Sequence, residues 1–316
     1  MKLAHIVITG LLLSVFPGYS QNVASTATLT SGGLNAGTNG TANTFYGYQA
    51  GRYTSTGINN TFIGNESGME NTTGKFNVFM GYQAGLSNIT GANNTFVGSH
   101  SGQSNFNGSY NVYLGQFAGG ENNGSYNTFI GMQAGGDSQG SNNVLIGNNV
   151  GYSMSGNDKL FIDNTDTAHP LIWGDFAQDQ LKFNGKVGIG NGFGNFPTTA
   201  GSVNVSNYNL FVKGGILTEE VRVNLQSSWA DYVFDENYKL KPLEEVEIFI
   251  KENGHLENVP SAKQVKEEGI ELGQMLKIQQ EKIEELTLYI IEQNKINERQ
   301  NKELQELKEA LKSIIK

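Results

Sequence analysis

The amino-acid sequence predicts a mainly-β protein, in which a β-solenoid is followed by a β-rich neck and a C-terminal α-helical coiled coil. Three features support this prediction. Glycine supplies 41 of the 316 residues, nearly twice the usual ~7%. A short motif occurs seven times at spacings of 16 or 17 residues, and the last 45 residues carry a heptad pattern.

The composition excludes several classes of protein. The chain has no cysteine, which rules out a disulfide scaffold, a zinc finger, a thiolate nucleophile and an iron–sulfur cluster. A formal net charge of −9 argues against a sequence-independent nucleic-acid binder. Collagen is excluded because glycine does not fall at every third position and proline is scarce. The excess of glycine must therefore serve another structure.

The repeat unit begins with asparagine, continues with three strand-favouring residues, and has glycine at its fifth and ninth positions. One such unit cannot bury its apolar face alone, so successive units are expected to stack as the coils of a solenoid over residues 43–157. The units begin at Asn43, Asn60, Asn77, Asn94, Asn111, Asn127 and Asn143. The repeat glycines are Gly47, Gly51, Gly64, Gly68, Gly81, Gly85, Gly98, Gly102, Gly115, Gly119, Gly131, Gly135, Gly147 and Gly151.

Side chains alternate along a strand, so positions two and four of the unit share one face and position three lies on the other. Both faces are apolar and should be covered. We expect positions two and four to fill the solenoid, and the large residues at position three to form a stripe that a partner chain covers. This predicted oligomer face comprises Phe45, Phe62, Phe79, Phe96, Tyr113, Phe129 and Leu145.

The unit Asn-x-Phe/Val-Ile-Gly-x-x-Ala/Ser-Gly resembles the head repeat of trimeric autotransporter adhesins over residues 43–157. The resemblance implies a left-handed parallel β-roll that trimerises through its flat face, and hence an elongated homotrimer. The units in this chain are longer than those of that family, which implies longer outer loops.

The N-terminus has the features of a secretory signal. Lys2 precedes a short apolar run at 6–16, and cleavage is expected after Ser20. The run is shorter than the ~20 residues of a membrane span. We therefore predict a signal peptide at 1–20, an exported extracellular or cell-surface protein, and no membrane span in the mature chain. A linker or cap at 21–42 should precede the head at 43–157. A β-rich neck should follow at 158–227, with short strands at 170–173, 180–183, 186–189, 210–212 and 221–225.

Composition changes at Ser228. Residues 228–316 carry 19 acidic and 13 basic residues, against 11 and 7 in residues 21–227. Pro242 and Gly254 should bound one short helix, and a second should follow Ser261 and end near Gly269. These helices define a small helical domain at 228–271.

The segment 272–316 repeats apolar residues over six heptads, which favours a parallel coiled coil. The polar cluster Gln293, Asn297 and Gln300 can fix its register and strand number. The heptads alone fit dimers or trimers, and the resemblance of the repeats favours a trimer. The predicted coiled-coil core comprises Leu276, Ile283, Leu286, Ile290, Asn297, Leu304, Leu307, Leu311 and Ile314.

Residues 187–295, including Trp229–Asp235 and Phe249–Leu256, resemble the tail-fibre-like C-terminal domain of many exported bacterial proteins. That domain is similar to the endosialidase-type intramolecular chaperone, which implies a role in trimer assembly. Some such chaperones cut themselves off with a serine and a lysine. The usual Ser-Asp-x-Arg-x-Lys start is absent here, and the most similar stretch of sequence is Ser227–Asp231. We therefore expect no self-cleavage.

The chain shows no motif for catalysis or for cofactor binding. None of its four histidines has a metal-ligand spacing, and the aspartates between 163 and 179 fit turns better than a cation site. The glycine-rich stretch Val187–Gly194 lacks the βαβ unit of a dinucleotide site. We predict no enzymatic activity, no catalytic residue, no cofactor and no metal.

These features favour an exported, trimeric, fibre-like surface protein with an adhesive or structural role. Its partners would be its own copies and an extracellular ligand, either a glycan or a matrix or surface protein, with no nucleic acid. One alternative is a tail-fibre or spike-like protein whose C-terminal domain is a trimerisation chaperone with self-cleavage. A weaker alternative is a carbohydrate-active spike, which would need facing carboxylates.

Overall fold

The computed structural model describes residues 23–26, 29–192, 194–224 and 229–315. The predicted signal peptide at 1–20 lies outside the described residues. The chain divides into two compact units, Met1–Gly185 and Lys186–Lys316. Among the described helices, none is both long enough and apolar enough to cross a membrane.

The first unit is built on one sheet of 12 strands that follow one another in chain order. Neighbouring strands from β2 to β10 pair in parallel, which confirms the predicted parallel β-solenoid. The strands are β1 Val23–Thr26, β2 Leu29–Gly32, β3 Asn43–Tyr46, β4 Thr61–Ile63, β5 Val78–Met80, β6 Thr95–Val97, β7 Val112–Leu114, β8 Thr128–Ile130, β9 Val144–Ile146, β10 Lys159–Ile162, β11 Ile172–Asp175 and β12 Gln180–Phe183.

The register places equivalent residues of successive units opposite one another, such as Phe62 and Phe79. The solenoid also begins earlier than the sequence motif does. Ser31 of β2 pairs with Phe45 of β3, so residues 29–42, predicted as linker or cap, form a shorter first coil. The solenoid therefore has about eight coils.

Both ends of this sheet change direction. Strand β1 pairs antiparallel with β2, and β10, β11 and β12 pair antiparallel in turn. Lys159 Nζ on β10 lies 2.7 Å from Asp175 Oδ2 on β11 and supports the closing hairpin. Such ends interrupt the parallel stacking and disfavour end-to-end growth. The predicted neck, 158–227, is accordingly divided, because its first part extends the solenoid sheet.

The second unit contains two small sheets and the helices. Strand β13 Val187–Ile189 pairs in parallel with β16 Leu210–Val212, and β14 Thr199–Ala200 pairs antiparallel with β15 Val203–Asn204. The strand expected from residue 221 does not form, since residues 221–224 have no regular structure. The helical elements are a 3₁₀ turn at Ala230–Phe234, α1 Leu243–Asn253, α2 Ala262–Glu268 and α3 Leu272–Ile315.

The predicted helix ends are confirmed. Helix α1 is bounded by Pro242 and by Gly254, which takes the left-handed conformation at φ 77°. Ser261 caps α2 through a capping box with Gln264, and Gly269 follows its last turn. These local signals depend on neighbouring residues only, which is why the sequence locates them well.

Burial differs sharply between the two units. The solenoid has a continuous core that runs from Leu29 to Phe161. Of the described hydrophobic residues of the second unit, only Ala230 and Val233 are buried. The first unit thus has a core of its own, whereas the second has almost none.

Candidate interaction surfaces

The position-three residues fill the interior of the solenoid. All seven, from Phe45 to Leu145, are fully buried within the single chain, and the aromatic ones stack with ring centroids 4.7–5.2 Å apart. The prediction that they form an oligomer face is therefore wrong. In the first six units the rest of the coil interior is lined by small or short residues, namely asparagine at position one, alanine or serine at eight and glycine at nine, and a large ring fills the space that they leave. In the last unit Val150 at position eight accompanies the smaller Leu145 at position three.

The repeat glycines are required by that packing. Gly64, at position five, has a φ of 135°, and a Cβ there would lie 2.3 Å from the carbonyl oxygen of Gly81. Gly68, at position nine, has a φ of 56°, and a Cβ there would lie 2.6 Å from the ring of Phe62. Position five thus allows the close approach of adjacent coils, and position nine makes room for the aromatic ring.

The asparagine at position one holds adjacent coils together by hydrogen bonds. The backbone N–H of Asn77 donates to Oδ1 of Asn60 at 3.0 Å, and Nδ2 of Asn77 donates to the carbonyl of Gly91 at 2.8 Å. The same pair of bonds recurs along the stack, and these side chains are buried. Buried amides that are fully paired stabilise a unique arrangement.

A second buried amide ladder, which the sequence analysis did not identify, lies at position twelve. Nδ2 of Asn88 donates to Oδ1 of Asn71 at 2.8 Å, and Asn105 donates to Asn88 at 2.9 Å. The ladder ends where the coils shorten from 17 to 16 residues. There Asn122 accepts a hydrogen bond from the buried Tyr113 hydroxyl at 3.1 Å instead, and Asn105 Oδ1 is left without a partner. Burial raises the pKa of Tyr113 well above its usual range.

The outward side of the strands, which we call the outer sheet face, is formed by positions two and four. Its larger side chains are substantially exposed, with 54% for Tyr46 and 37–39% for Ile63, Met80, Val97 and Ile130. The face carries no charged residue over residues 44–146. Its members are Thr44, Tyr46, Thr61, Ile63, Val78, Met80, Thr95, Val97, Val112, Leu114, Thr128, Ile130, Val144 and Ile146.

Exposed aromatic and sulfur-containing residues flank the outer sheet face in sequence on both sides. The position directly before the asparagine of the unit contributes Phe76, Tyr110 and Tyr126. The rings of Tyr110 and Tyr126 stack with centroids 4.9 Å apart. Position six contributes Tyr82 and Met132 among others. Aromatic residues and methionine around an uncharged apolar centre are typical of protein–protein interfaces.

His100 lies in a turn of the solenoid and is half-buried among aromatic side chains. Its ring stacks on Phe117 at 4.5 Å and meets the edge of Tyr82 at 5.0 Å. Its Nδ1 lies 2.8 Å from the Ser99 hydroxyl. His255 similarly packs against Phe249, directly after the end of α1.

Helix α3 has an apolar seam along its length and, over its first half, a buried polar face opposite the seam. The seam predicted as the coiled-coil core is open in the single chain, and its apolar members are 46–79% exposed. The opposite face carries Glu281 and Glu284, which are only 9% and 5% exposed. The open seam consists of Leu276, Ile283, Leu286, Ile290, Leu304, Leu307, Leu311 and Ile314, and Asn297 on the same seam accepts a hydrogen bond from Gln293 at 2.9 Å.

A cluster of tyrosine and glutamate side chains covers that buried face. The Tyr232 hydroxyl of the 3₁₀ turn donates to Glu281, and the Tyr238 hydroxyl donates to Glu285 at 2.5 Å. Lys282 bridges Glu281 at 3.0 Å and Glu285 at 2.9 Å. The domain at 228–271 is thereby fixed to the side of α3 that faces away from the seam.

These contacts shift the titration of the groups involved. The hydrogen bond to Glu281, followed by burial, raises the pKa of Tyr232 to about 12. Burial and the hydrogen bond to Glu285 raise the pKa of Tyr238 well above its usual value. Burial opposes ionisation of Glu281, but the hydrogen bonds from Tyr232 and Lys282 outweigh it and hold the pKa of Glu281 below its usual value.

Of the aspartates between residues 163 and 179, Asp163, Asp166 and Asp179 lie in turns or loops as expected, whereas Asp175 is a buried strand residue at the end of β11. Asp163 accepts hydrogen bonds from the backbone of Leu171 and from the side chain of Thr165, and these bonds lower its pKa. The hydrogen bond from Lys159 lowers the pKa of Asp175. Within the described part of the chain, no cluster of three or more histidine, aspartate or glutamate side chains could hold a metal ion.

Comparison with protein-family models gives no match for this chain. The curated proteins and the solved structures give no match either. The resemblances to adhesin heads and to tail-fibre-like domains therefore remain predictions.

Proposed function

We propose that this protein is an exported, homotrimeric, fibre-like surface protein with an adhesive or structural role. The observation that carries the proposal is the missing core of the second unit, whose described part buries only Ala230 and Val233 among its hydrophobic residues. A unit with so little buried apolar surface does not offset the entropy of folding by itself. Further copies of the chain would supply the missing core.

Helix α3 offers the clearest place for the copies to meet. Its apolar seam recurs every seven residues and is exposed, while Glu281 and Glu284 on the other side are covered by the chain's own domain. This arrangement leaves the seam as the contact surface for other α3 helices, as in a parallel coiled coil. The choice of three copies rests on the resemblance of the repeats to trimeric heads.

The outer sheet face supports a second, weaker contact. The seven strands that carry it are spaced ~4.8 Å apart and are three residues wide, which gives a face of roughly 300 Å². A stable interface needs about 800 Å² on each partner. The strand columns alone therefore fall short, and α3 rather than the solenoid is the principal assembly element in this proposal.

The adhesive role would lie in the solenoid surface that the copies leave free. The turns at 52–58, 69–75, 86–92 and 103–109 vary in sequence while the interior repeats. A rigid core that carries variable turns suits the display of ligand-binding loops. Three copies on one particle would turn weak contacts into effective binding through avidity.

Binding arrays of glycans and matrix proteins test this role when the wild-type chain is compared with an assembly-deficient variant. Ile290→Asn places a polar side chain in the seam. Lys295→Asn introduces asparagine on the outward side of the same helix and serves as the control. We expect the wild type and Lys295→Asn to give similar array signals. The signal of Ile290→Asn should be lower by about tenfold or more. Equal signals for all three proteins would contradict a role that depends on assembly.

A further inference from the structure

We infer that residues 216–223 form a β-strand that pairs with the backbone of a second copy of this chain, an inference that rests on the proposed assembly. The segment reads Ile216-Leu-Thr-Glu-Glu-Val-Arg-Val223. It lies between strand β16 and the 3₁₀ turn of the second unit. In the single chain it has no regular secondary structure.

The side chains of this segment alternate as in a half-buried strand. Leu217, Val221 and Val223 share one face with Glu219, and Thr218, Glu220 and Arg222 share the other face with Ile216. The exposed fraction in the single chain is 102% for Leu217, 62% for Val221 and 43% for Val223. An apolar face this open, opposite a polar face, is typical of a strand whose neighbour is missing.

The backbone of the segment is unpaired as well. In the described part of the chain, no backbone amide of residues 214–224 donates to another backbone group, and the one hydrogen bond involving residues 216–223 runs from the Thr218 hydroxyl to the Glu220 carbonyl. Valine, isoleucine and threonine favour strands. A strand-favouring segment with free donors and acceptors is a template for β-addition.

The adjoining sheet is also incomplete. Strands β13 and β16 form a pair of three residues each, and Ile189 and Leu210 on it are 53% and 55% exposed. A two-stranded sheet of this size is marginal on its own in water. Strands from other copies would extend it and cover these side chains.

Chain geometry favours a second copy as the occupant. Only six peptide steps separate Asn224 from Ala230, which limits the span to about 20 Å. Ala230 is buried in the 3₁₀ turn, which packs against α3. If the seams of several α3 helices join, these short connections keep each 216–223 segment close to the joined helices.

One pair of charges in the segment can form contacts between copies. Glu220 and Arg222 lie on the same face, with Nη2 of Arg222 3.7 Å from Oε1 of Glu220. A neighbouring copy of the strand offset by two residues places Glu220 of one chain beside Arg222 of the next, and opposite charges on neighbouring strands are favourable.

Hydrogen exchange on the full-length protein tests the inference. We expect the backbone amides of 217–223 to exchange at least about a hundredfold more slowly than in an unstructured peptide when the protein is assembled. In Ile290→Asn, which disrupts the seam, the same amides should exchange freely, whereas Lys295→Asn should retain their protection. Protection that persists in single chains would overturn the inference, because the partner would then be in the same chain.

A side-chain test uses one substitution on the two faces of the segment. Leu217→Asp should weaken the assembly, seen as dissociation at a concentration at least tenfold higher, whereas Thr218→Asp should leave it unchanged. Equal effects of the two substitutions would overturn the inference. An assembled wild type whose 217–223 amides exchange freely would refute the strand alone, and a wild type that sediments as single chains would refute both the strand and the proposed function.

Discussion

Glu281 and Ile283 lie two residues apart on α3 yet face opposite environments. Glu281 is 9% exposed and accepts a hydrogen bond from Tyr232, whereas Ile283 is 57% exposed in the single chain. The hydrophobic side chain thus lies in water while the carboxylate is buried. This inversion is understandable if Ile283 and the other seam residues are covered by further copies.

The first prediction concerns that seam. Ile290→Asn should shift the protein from its assembled form toward single chains, because a polar side chain at a core position weakens a coiled coil. The matched variant Lys295→Asn should keep the wild-type mass. Sedimentation velocity at several concentrations measures both. The same sedimentation coefficient for the two variants would show that the seam is not the contact.

A second prediction tests the corrected interior of the solenoid. Phe79→Ala removes a fully buried ring that stacks between Phe62 and Phe96 and should lower the free energy of unfolding by about 3–5 kcal/mol. Tyr82→Ala removes an exposed ring and should cost less than about 1 kcal/mol. Denaturant titration followed by circular dichroism compares them. If Phe79 lay at an interface, its variant would instead change the mass and leave the unfolding of single chains unaffected.

The third prediction concerns the asparagine ladder. Asn77→Ala removes the acceptor for the backbone N–H of Asn94 and the donor to the carbonyl of Gly91. Each buried group left unpaired costs about 1–3 kcal/mol. Asn65→Ala at an exposed position serves as the control and should be nearly neutral. Chemical denaturation measures the free energy of unfolding of both variants. An unchanged value for Asn77→Ala would show that the ladder contributes little to stability.

A fourth prediction concerns alkaline pH. The pKa of Tyr232 is raised to about 12 from an unfolded value of about 10, so the folded state favours the protonated phenol. This contribution to stability is fully present below pH 10 and is lost as pH rises through about 12. The stability advantage of the wild type over Tyr232→Phe should therefore shrink across this range. An advantage that stays constant from pH 9 to 12 would contradict the hydrogen bond to Glu281.

At acid pH the contribution of Glu281 to stability depends on pH with the opposite sign to that of Tyr232. The pKa of Glu281 is lowered by its bonds to Tyr232 and Lys282 against the effect of burial. Its contribution is present above the unfolded pKa and is lost as pH falls through the folded pKa. Glu281→Gln should accordingly reduce the acid sensitivity of the second unit, measured by near-ultraviolet circular dichroism of its tyrosines.

The sequence predicts the architecture of the solenoid well but assigns its faces incorrectly. The fixed spacing of Gly64 and Gly81 establishes the coil, because each coil must repeat the same backbone geometry. The alternation of side chains along a strand does not determine which of its two faces points into the solenoid. That choice depends on what the distant positions of the same coil contribute, and here Ser67 and Gly68 leave room for only one large ring at Phe62.

The second unit shows a different limit. The ends of α1 and α2 follow from Gly254, Ser261 and Gly269, which act on their immediate neighbours. The expected strand near Val221 is absent because a strand needs a partner, and the described part of the single chain supplies none. Buried contacts such as that between Tyr232 and Glu281 join residues 49 apart, and no local pattern marks them.

The mass of the assembled protein tests whether three chains join. Sedimentation equilibrium of the chain without residues 1–20 measures that mass independently of shape. We expect three times the mass of one chain over a range of micromolar concentrations. The mass of a single chain that folds cooperatively in both units would rule out the trimer.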